Sequence, residues 1–288
     1  MWNPFNRNTI SNSSASKRSL QLITQKGMPF AYVEAYKALR TNLNFLSGSG
    51  DVHAFVVTST VPEEAKSNVS VNLALTLTES GKKVVLVDCD LRKPVLHRYL
   101  KAGHNLKGVS NVLSRQVALS DALVELKDIS NLTFLPAGTT PPNPSELLSQ
   151  PQMQEMVDTL RGSYDFVILD APPISMVTDA AVIGRIVDGA LFVVRSKYAS
   201  TDAVKTALEK LQDAGVKVLG AVLTRYDAKK SLKRSDYGYG YYYYNSNYSY
   251  GTPPPDGISE SAAEKSCLTS KNRHNGKEKH SVHTEDET

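Results

Sequence analysis

Short apolar runs alternate with segments of helical period between residues 52 and 224. Several runs are apolar at every position, which is typical of strands that are covered on both faces. The alternation predicts βαβ units, and hence a three-layer α/β fold of the P-loop kind, with a mostly parallel sheet and helices on both faces. The predicted strands are Ala54–Thr58, Lys83–Asp88, Leu132–Leu135, Phe166–Asp170, Ala190–Arg195 and Val216–Thr224, and the helices between them are Ser67–Ser80, Pro144–Arg161, Asp179–Ile186 and Thr201–Ala214.

The pattern changes on both sides of this region. A helix is predicted at Val33–Phe45, and the residues before it are basic, with no acidic side chain ahead of Glu34. After residue 228, Tyr, Ser, Asn, Gly, Pro and charged residues dominate, a composition that cannot supply a hydrophobic core. We therefore predict a flexible basic segment (1–30), an oligomerisation-type helix (31–50), one ATP-binding domain (51–228), a basic and tyrosine-rich tail (229–250) and a disordered extension (251–288).

The composition of the chain indicates its cellular compartment and limits its partners. The net charge is +4, and the two cysteines, Cys89 and Cys267, are too few for a disulfide framework or a metal cluster, which favours a reducing cytoplasm. No apolar run approaches the roughly 18 to 20 residues needed to span a bilayer. The basic runs are compatible with nucleic acid or anionic lipid, but solvated charge is the commoner explanation. We therefore expect no nucleic-acid partner.

A phosphate loop is predicted where the first strand ends. The segment 55–67 runs from a buried strand through a turn into a helix that begins near Lys66. In a P-loop, backbone N–H groups and the helix N-terminus cradle phosphates, the lysine reaches the β- and γ-phosphates, and the following hydroxyl ligates magnesium. The pattern G-x-x-x-x-G-K-[ST] would place glycine at positions 60 and 65. The predicted ATP-binding residues are Pro62, Glu63, Glu64, Ala65, Lys66, Ser67 and Asn68.

Acidic residues follow two further strands. Asp88 ends the second predicted strand and Asp90 follows two positions later, while Asp170 ends the strand 166–170 in the form of a Walker B motif. Taken alone, each of these three aspartates is explained equally well as a helix cap or turn residue. Together with the Lys66-Ser67 pair they favour a site for ATP and Mg²⁺, with Ser67, Asp88, Asp90 and Asp170 as metal ligands, directly or through water.

Tyrosine is concentrated near the end of the chain. Eight of the fourteen tyrosines fall within 14 residues that contain no aliphatic side chain, namely Tyr237, Tyr239, Tyr241, Tyr242, Tyr243, Tyr244, Tyr248 and Tyr250. Composition alone does not separate a sticky, self-associating segment from a cluster of phosphate acceptors. Position favours acceptors, since a flexible tail reaches a neighbouring active site at high effective concentration.

These features together resemble the bacterial tyrosine kinases of the capsular and exopolysaccharide class, over roughly residues 30 to 250. The matching stretches are Glu34–Phe45, the phosphate loop, Val87–Pro94, Leu135–Leu148 and Leu169–Pro173. The resemblance implies a protein-tyrosine kinase that autophosphorylates its tyrosine cluster, with Asp88 and Asp90 as an additional acidic Walker motif. Lys66, Asp88 and Asp90 are the predicted catalytic residues, and Asp88 is assigned to orient or deprotonate the tyrosine hydroxyl.

The resemblance also implies partners. In the family a Glu-x-x-Arg-x-x-Arg helix makes contacts between the subunits of a ring; here these positions are Glu34, Lys37 and Arg40. Relatives without a membrane segment are recruited to the inner face of the membrane by a transmembrane polysaccharide co-polymerase that activates them, and the same arrangement is expected here. A cognate tyrosine phosphatase also fits this scheme.

Three positions of the predicted nucleotide site depart from the family. Ala65 and Glu63 stand where glycine is usual, and Thr224 stands where related proteins often place an adenine-reading Asn. A Cβ at position 65 disfavours the backbone angles that a phosphate loop uses. A catalytically impaired adaptor of a co-polymerase therefore stays open. An ATPase of the kind that positions chromosomes or division proteins also stays open, because it shares this sheet and its acidic residues.

Overall fold

A computed structural model of the chain describes residues 21–48 and 52–226. The tyrosine cluster, residues 1–20 of the predicted basic segment 1–30, and the predicted segments 229–250 and 251–288 lie outside the described residues, so the domain boundaries drawn there stay predictions. Within the described part, the elements alternate as the hydrophobic pattern predicts.

The centre of the fold is a seven-stranded sheet in the order β3-β4-β2-β5-β1-β6-β7. All neighbouring strands are parallel except the edge pair β3–β4, which is antiparallel. The order brings β1, β5 and β2 side by side in the middle, although other elements separate them in sequence. The strands are β1 Ala54–Ser59, β2 Val84–Asp88, β3 Val124–Glu125, β4 Leu132–Leu135, β5 Phe166–Asp170, β6 Ala190–Arg195 and β7 Val218–Thr224.

Nine helices surround this sheet in the described part of the chain. They are α1 Phe30–Gly48, α2 Lys66–Glu79, α3 Leu96–Tyr99, α4 Val109–Leu113, α5 Leu119–Ala122, α6 Pro144–Leu148, α7 Pro151–Arg161, α8 Asp179–Gly184 and α9 Thr201–Asp213.

Alternate residues of each central strand enter two separate cores. Along β1, Val56 packs in a core with α7, α8 and α9, whereas Phe55 and Val57 pack in a second core with α1 and α2. This division follows from the period of two along a strand, and it explains why β1, β2 and β5 are buried at every position. The three-layer prediction is confirmed.

Several predicted elements differ from the observed ones by one to three residues at an end, β3 was not predicted, and one predicted helix is interrupted. The helix expected over Pro144–Arg161 is broken into α6 and α7, because Pro151 disfavours helical angles at the residue before it and Gln150 is extended at ψ 153°. Pro151 instead begins α7. At that position a backbone N–H would have no partner within the helix, so its absence in proline does not destabilise α7. The last strand begins at Val218 rather than Val216, whose side chain packs in the core with α7, α8 and α9.

Candidate active site

The candidate active site lies at the carboxyl edge of β2, β5 and β1. Asp88 ends β2 and pairs in register with Asp170, which ends β5. Lys66 begins α2, a short loop after β1. Because carboxyl ends of neighbouring parallel strands meet at one edge of a sheet, residues more than 100 positions apart come together here.

The Lys66 ammonium is the centre of the cluster. Its Nζ lies 3.2 Å from Oδ2 of Asp170 and 3.4 Å from Oδ2 of Asp90. Ser67 Oγ donates a 2.6 Å hydrogen bond to the same Asp170 oxygen. Burial favours the neutral amine of Lys66 and so lowers its pKa. The charges of the three surrounding carboxylates, of which Asp170 has the largest effect, outweigh burial, and the pKa of Lys66 is raised. Lys66 is therefore a cation held among the groups predicted to bind metal.

Asp88 is held differently, by the backbone. Its Oδ1 accepts a hydrogen bond from the N–H of Asp90, and its Oδ2 accepts one from the N–H of Leu96 at the start of α3, each at 3.2 Å. The side chain is fully buried. Burial, with the negative charge of Asp170 beside it, raises the pKa of Asp88 to about 7, and the opposing effect of Lys66 is smaller. Asp90 is fixed in turn by the N–H of Lys93 at 3.0 Å.

Ser70 belongs to the same cluster and was missed by the sequence analysis. Its Oγ donates to Oδ1 of Asp170 at 3.0 Å, so both oxygens of that carboxylate accept a serine hydroxyl. Its spacing from Ser67 could have revealed it, because residues three positions apart on a helix lie on the same face. Ser70 orients Asp170 from one turn deeper in α2.

A second polar cluster adjoins the site and was also missed. Arg92, just beyond Asp90, donates through Nε to Oδ2 of the buried Asp179 at 3.3 Å and through Nη2 to Ser145 Oγ at 2.8 Å. These contacts tie the loop after β2 to the starts of α6 and α8. Ser145 lies within the Leu135–Leu148 stretch that carries the resemblance.

The phosphate loop takes unusual backbone angles. Glu63 and Ala65 have φ of 69° and 72°, in the left-handed region that favours glycine. Ala65 is the N-cap of α2 and makes no side-chain capping bond, and an α-helix leaves its first N–H groups without intrahelical partners. The loop thus has the glycine-type conformation expected of a P-loop, without the glycines.

Several predicted nucleotide-site residues use their side chains inside the protein. The Glu64 carboxylate, predicted from sequence to lie at the ATP site, is buried and accepts the N–H groups of Val61 and Arg195. The Asn68 side chain accepts the hydroxyl of Tyr36 on α1. Thr224 Oγ1 donates to the carbonyl of Glu64 at 2.9 Å. Pro62 is exposed on the loop.

The predicted subunit-contact residues lie on α1, which packs on α2. Lys37 pairs with Glu34 at 2.7 Å within the helix, and both side chains are about one third or more exposed. Arg40 points instead toward α2, where its Nη1 donates to the carbonyl of Thr76 at 2.7 Å. The Glu34 and Lys37 side chains are thus partly exposed, whereas that of Arg40 contacts a neighbouring helix of the same chain.

Across the described residues, no helix is long and apolar enough to cross a membrane.

The sheet order, the loop before α2 and the acidic residues at the strand ends define a protein of the P-loop nucleotide-binding class. The model of the AAA domain family matches residues 64–218. A septum site-determining protein MinD from Pyrococcus horikoshii, solved with Mg-ADP, matches 64% of this chain and 78% of its own at TM-score 0.53 and 23% identity. At that identity the match shows the fold alone.

Closer relatives identify the family within this class. Tyrosine-protein kinase YwqD of Bacillus subtilis is 37% identical over 205 residues, which is 71% of this chain and 84% of YwqD. The kinase domain of Escherichia coli tyrosine kinase ETK matches at TM-score 0.64 and 33% identity, over 73% of this chain and 80% of that domain. The chain belongs to the bacterial tyrosine kinases of capsule and exopolysaccharide synthesis, as the sequence motifs predicted.

Proposed function

We propose that this protein transfers the γ-phosphoryl group of ATP to tyrosine hydroxyls, first to those between Tyr237 and Tyr250. The observation that carries the proposal is the meeting of Lys66, Ser67 and three carboxylates at one sheet edge, directly beside a phosphate loop. Tyrosine-kinase relatives that cover most of the domain support this reaction over ATP hydrolysis alone.

The residues present fit a magnesium nucleotide. The loop before α2 and the first N–H groups of that helix suit phosphate oxygens, and the Lys66 ammonium suits the β- and γ-phosphates. Ser67 would be a direct magnesium ligand, while Asp90 and Asp170 would hold metal-bound water. Bound magnesium neutralises charge on the phosphates. The Mg-ADP complex of the MinD neighbour supports this use of the shared fold.

Asp88 is the proposed base. Asp90 and Asp170 both contact Lys66, whereas Asp88 is fixed by two backbone N–H groups at the same edge. The tyrosine hydroxyl proton passes to the Asp88 carboxylate, and the tyrosine oxygen forms a bond to the γ-phosphorus. The bond from that phosphorus to its bridging oxygen breaks, and the electron pair leaves with ADP.

The acceptor cluster begins only 13 positions after Thr224, the last residue of β7. A tail of that length places its tyrosines at high local concentration around the active sites of an assembly. The low-complexity composition of the tail, which lacks aliphatic residues, favours a substrate over a folded element. Each phosphate added would carry about 1.5 to 2 negative charges.

Recruitment to the inner face of the membrane is proposed to come from a transmembrane co-polymerase, which would also activate the kinase. Self-association in a ring through Glu34 and Lys37, and reversal by a cognate tyrosine phosphatase, complete the proposal. Fractionation of cells with and without the co-polymerase tests recruitment. Membrane recovery that persists without it would contradict docking and favour direct lipid binding.

Product analysis separates the proposed kinase from its two alternatives. Purified protein is incubated with γ-labelled ATP and Mg²⁺, and the label is followed into protein phosphotyrosine and free phosphate. A kinase gives phosphotyrosine, a positioning-type ATPase gives free phosphate only, and an impaired adaptor gives neither. Free phosphate without phosphotyrosine would overturn the proposed reaction.

A further inference from the structure

Two residues of the phosphate loop hold an unfavourable conformation without glycine. Glu63 and Ala65 both have left-handed angles, at φ 69° and 72°. Residues with a Cβ rarely adopt this region because the side chain crowds the backbone. The loop therefore needs contacts elsewhere in the fold that hold these angles.

Glu64, between the two strained residues, is fixed by both its carbonyl and its carboxylate. Its carbonyl accepts a hydrogen bond from Thr224 Oγ1 at 2.9 Å. Its Oε2 accepts the N–H of Val61 at 2.9 Å, and its Oε1 accepts the N–H of Arg195 at 3.2 Å. The residue is only 1% exposed and its partners are half-buried, so these bonds are partly shielded from competing water.

Arg195, the last residue of β6, contacts the loop a second time. Its Nη1 donates to the carbonyl of Glu63 at 3.3 Å. The guanidinium lies 4.2 Å from the ring centre of Tyr198, whose hydroxyl donates to Glu63 Oε2 at 3.4 Å. Arg195 and Thr224 thus connect the ends of β6 and β7 to Glu63 and Glu64, the first strained residue and its neighbour.

We propose that Glu64, Arg195 and Thr224 are positioning residues for nucleotide binding, which hold the loop in its phosphate-binding conformation where Glu63 and Ala65 replace glycine. The inference rests on the proposed function only in taking a magnesium nucleotide as the ligand of this loop. None of the three side chains needs to touch the nucleotide. They act by keeping the loop N–H groups directed before the ligand arrives, which lowers the cost of binding.

A double-mutant cycle between Thr224 and Ala65 tests this role. Thr224→Val removes the hydroxyl at nearly constant volume, so the loop is freer to leave the left-handed conformation. Mg-ATP affinity, measured by calorimetry, is expected to fall about fivefold in the parent chain, the equivalent of one hydrogen bond. In the Ala65→Gly background the loss is expected to be less than about twofold, because glycine keeps the left-handed angle without support.

Further variants separate positioning from direct contact and from general instability. Glu64→Gln replaces one carboxylate oxygen, which accepts a backbone N–H, with an amide N–H₂ that cannot accept it. Its Mg-ATP affinity is expected to fall in the parent and to change little in the Ala65→Gly background, as for Thr224→Val. Thr159→Val is the matched control, since that hydroxyl also donates to a backbone carbonyl, but at an exposed position of α7 far from the loop in sequence. Its Mg-ATP affinity should not change. Thermal melting of each variant confirms that the chain is folded at the assay temperature.

The outcomes distinguish this inference from the proposed reaction. An equal loss of Mg-ATP affinity in both backgrounds would show that Thr224 acts on the nucleotide directly. No loss for Thr224→Val or Glu64→Gln would show that the loop keeps its conformation without these contacts. Each result overturns the inference. A parent chain that binds no Mg-ATP, with or without recovery by Ala65→Gly, would overturn it as well. A parent that binds Mg-ATP but forms no phosphotyrosine contradicts only the proposed reaction, and the cycle is still decisive.

Discussion

At the scale of single residues, Ala65 shows how a departure from a motif is accommodated. Its φ of 72° is an angle that glycine adopts without strain, so alanine lowers the population of the phosphate-binding conformation in the nucleotide-free loop. We expect Ala65→Gly to raise Mg-ATP affinity severalfold, measured by calorimetry. Ala214→Gly is the control, since Ala214 has ordinary helical angles at φ −75°. Unchanged or weaker binding in Ala65→Gly would show that the loop is adapted to alanine.

The buried carboxylate of Asp88 predicts a pH dependence of stability. Its folded pKa is raised to about 7, above the value of about 4 in an unfolded chain. Between these values the folded state binds more protons than the unfolded state, so stability falls as pH rises through this window. We expect Asp88→Asn to lose less stability than the parent between pH 4 and 8 in nucleotide-free protein.

Urea unfolding at a series of pH values measures this difference. Asp202→Asn, at an exposed position on α9, controls for the loss of one negative charge. Parallel pH profiles for the parent and Asp88→Asn would contradict the raised pKa of Asp88.

At the scale of elements, one side of α1 packs against α2 and another side carries partly exposed charges. Tyr36 and Arg40 bind α2 through the Asn68 side chain and the Thr76 carbonyl, while Glu34 and Lys37 stay partly exposed. We expect Lys37→Glu to weaken self-association, because it reverses charge on the outward side and replaces an attractive pair with a repulsive one. The change in stability should be small, about 0.5 kcal/mol, as for other pairs on a helix surface.

Light scattering after size-exclusion chromatography tests this role of α1. Lys205→Glu, exposed on α9, is the matched control. Self-association that is equal in both variants would place the subunit contact elsewhere.

At the scale of the whole molecule, local patterns were enough to predict six of the seven strands and the meeting of three charged residues at one sheet edge. Lys66, Asp88 and Asp170 each lie next to a strand, so a parallel arrangement brings them to one edge. The support of the phosphate loop could not be predicted, because Glu64 finds Arg195 and Thr224 at separations of 131 and 160 positions. Helices α3 to α5 were missed since each has only four or five residues, too few to show a period.

The most direct test of the central claim is the location of phosphate after reaction. The protein is incubated with ATP and Mg²⁺, and phosphorylated residues are mapped by mass spectrometry in the parent, Lys66→Met and Asp88→Asn. Lys205→Met and Asp202→Asn are the matched exposed controls on α9. We expect phosphate on tyrosines between Tyr237 and Tyr250 in the parent and both controls, with at least a hundredfold loss in the two active-site variants, since both act in the transfer step. Phosphate on serine, a tail without phosphate in the parent, or equal labelling in Lys66→Met would contradict the account.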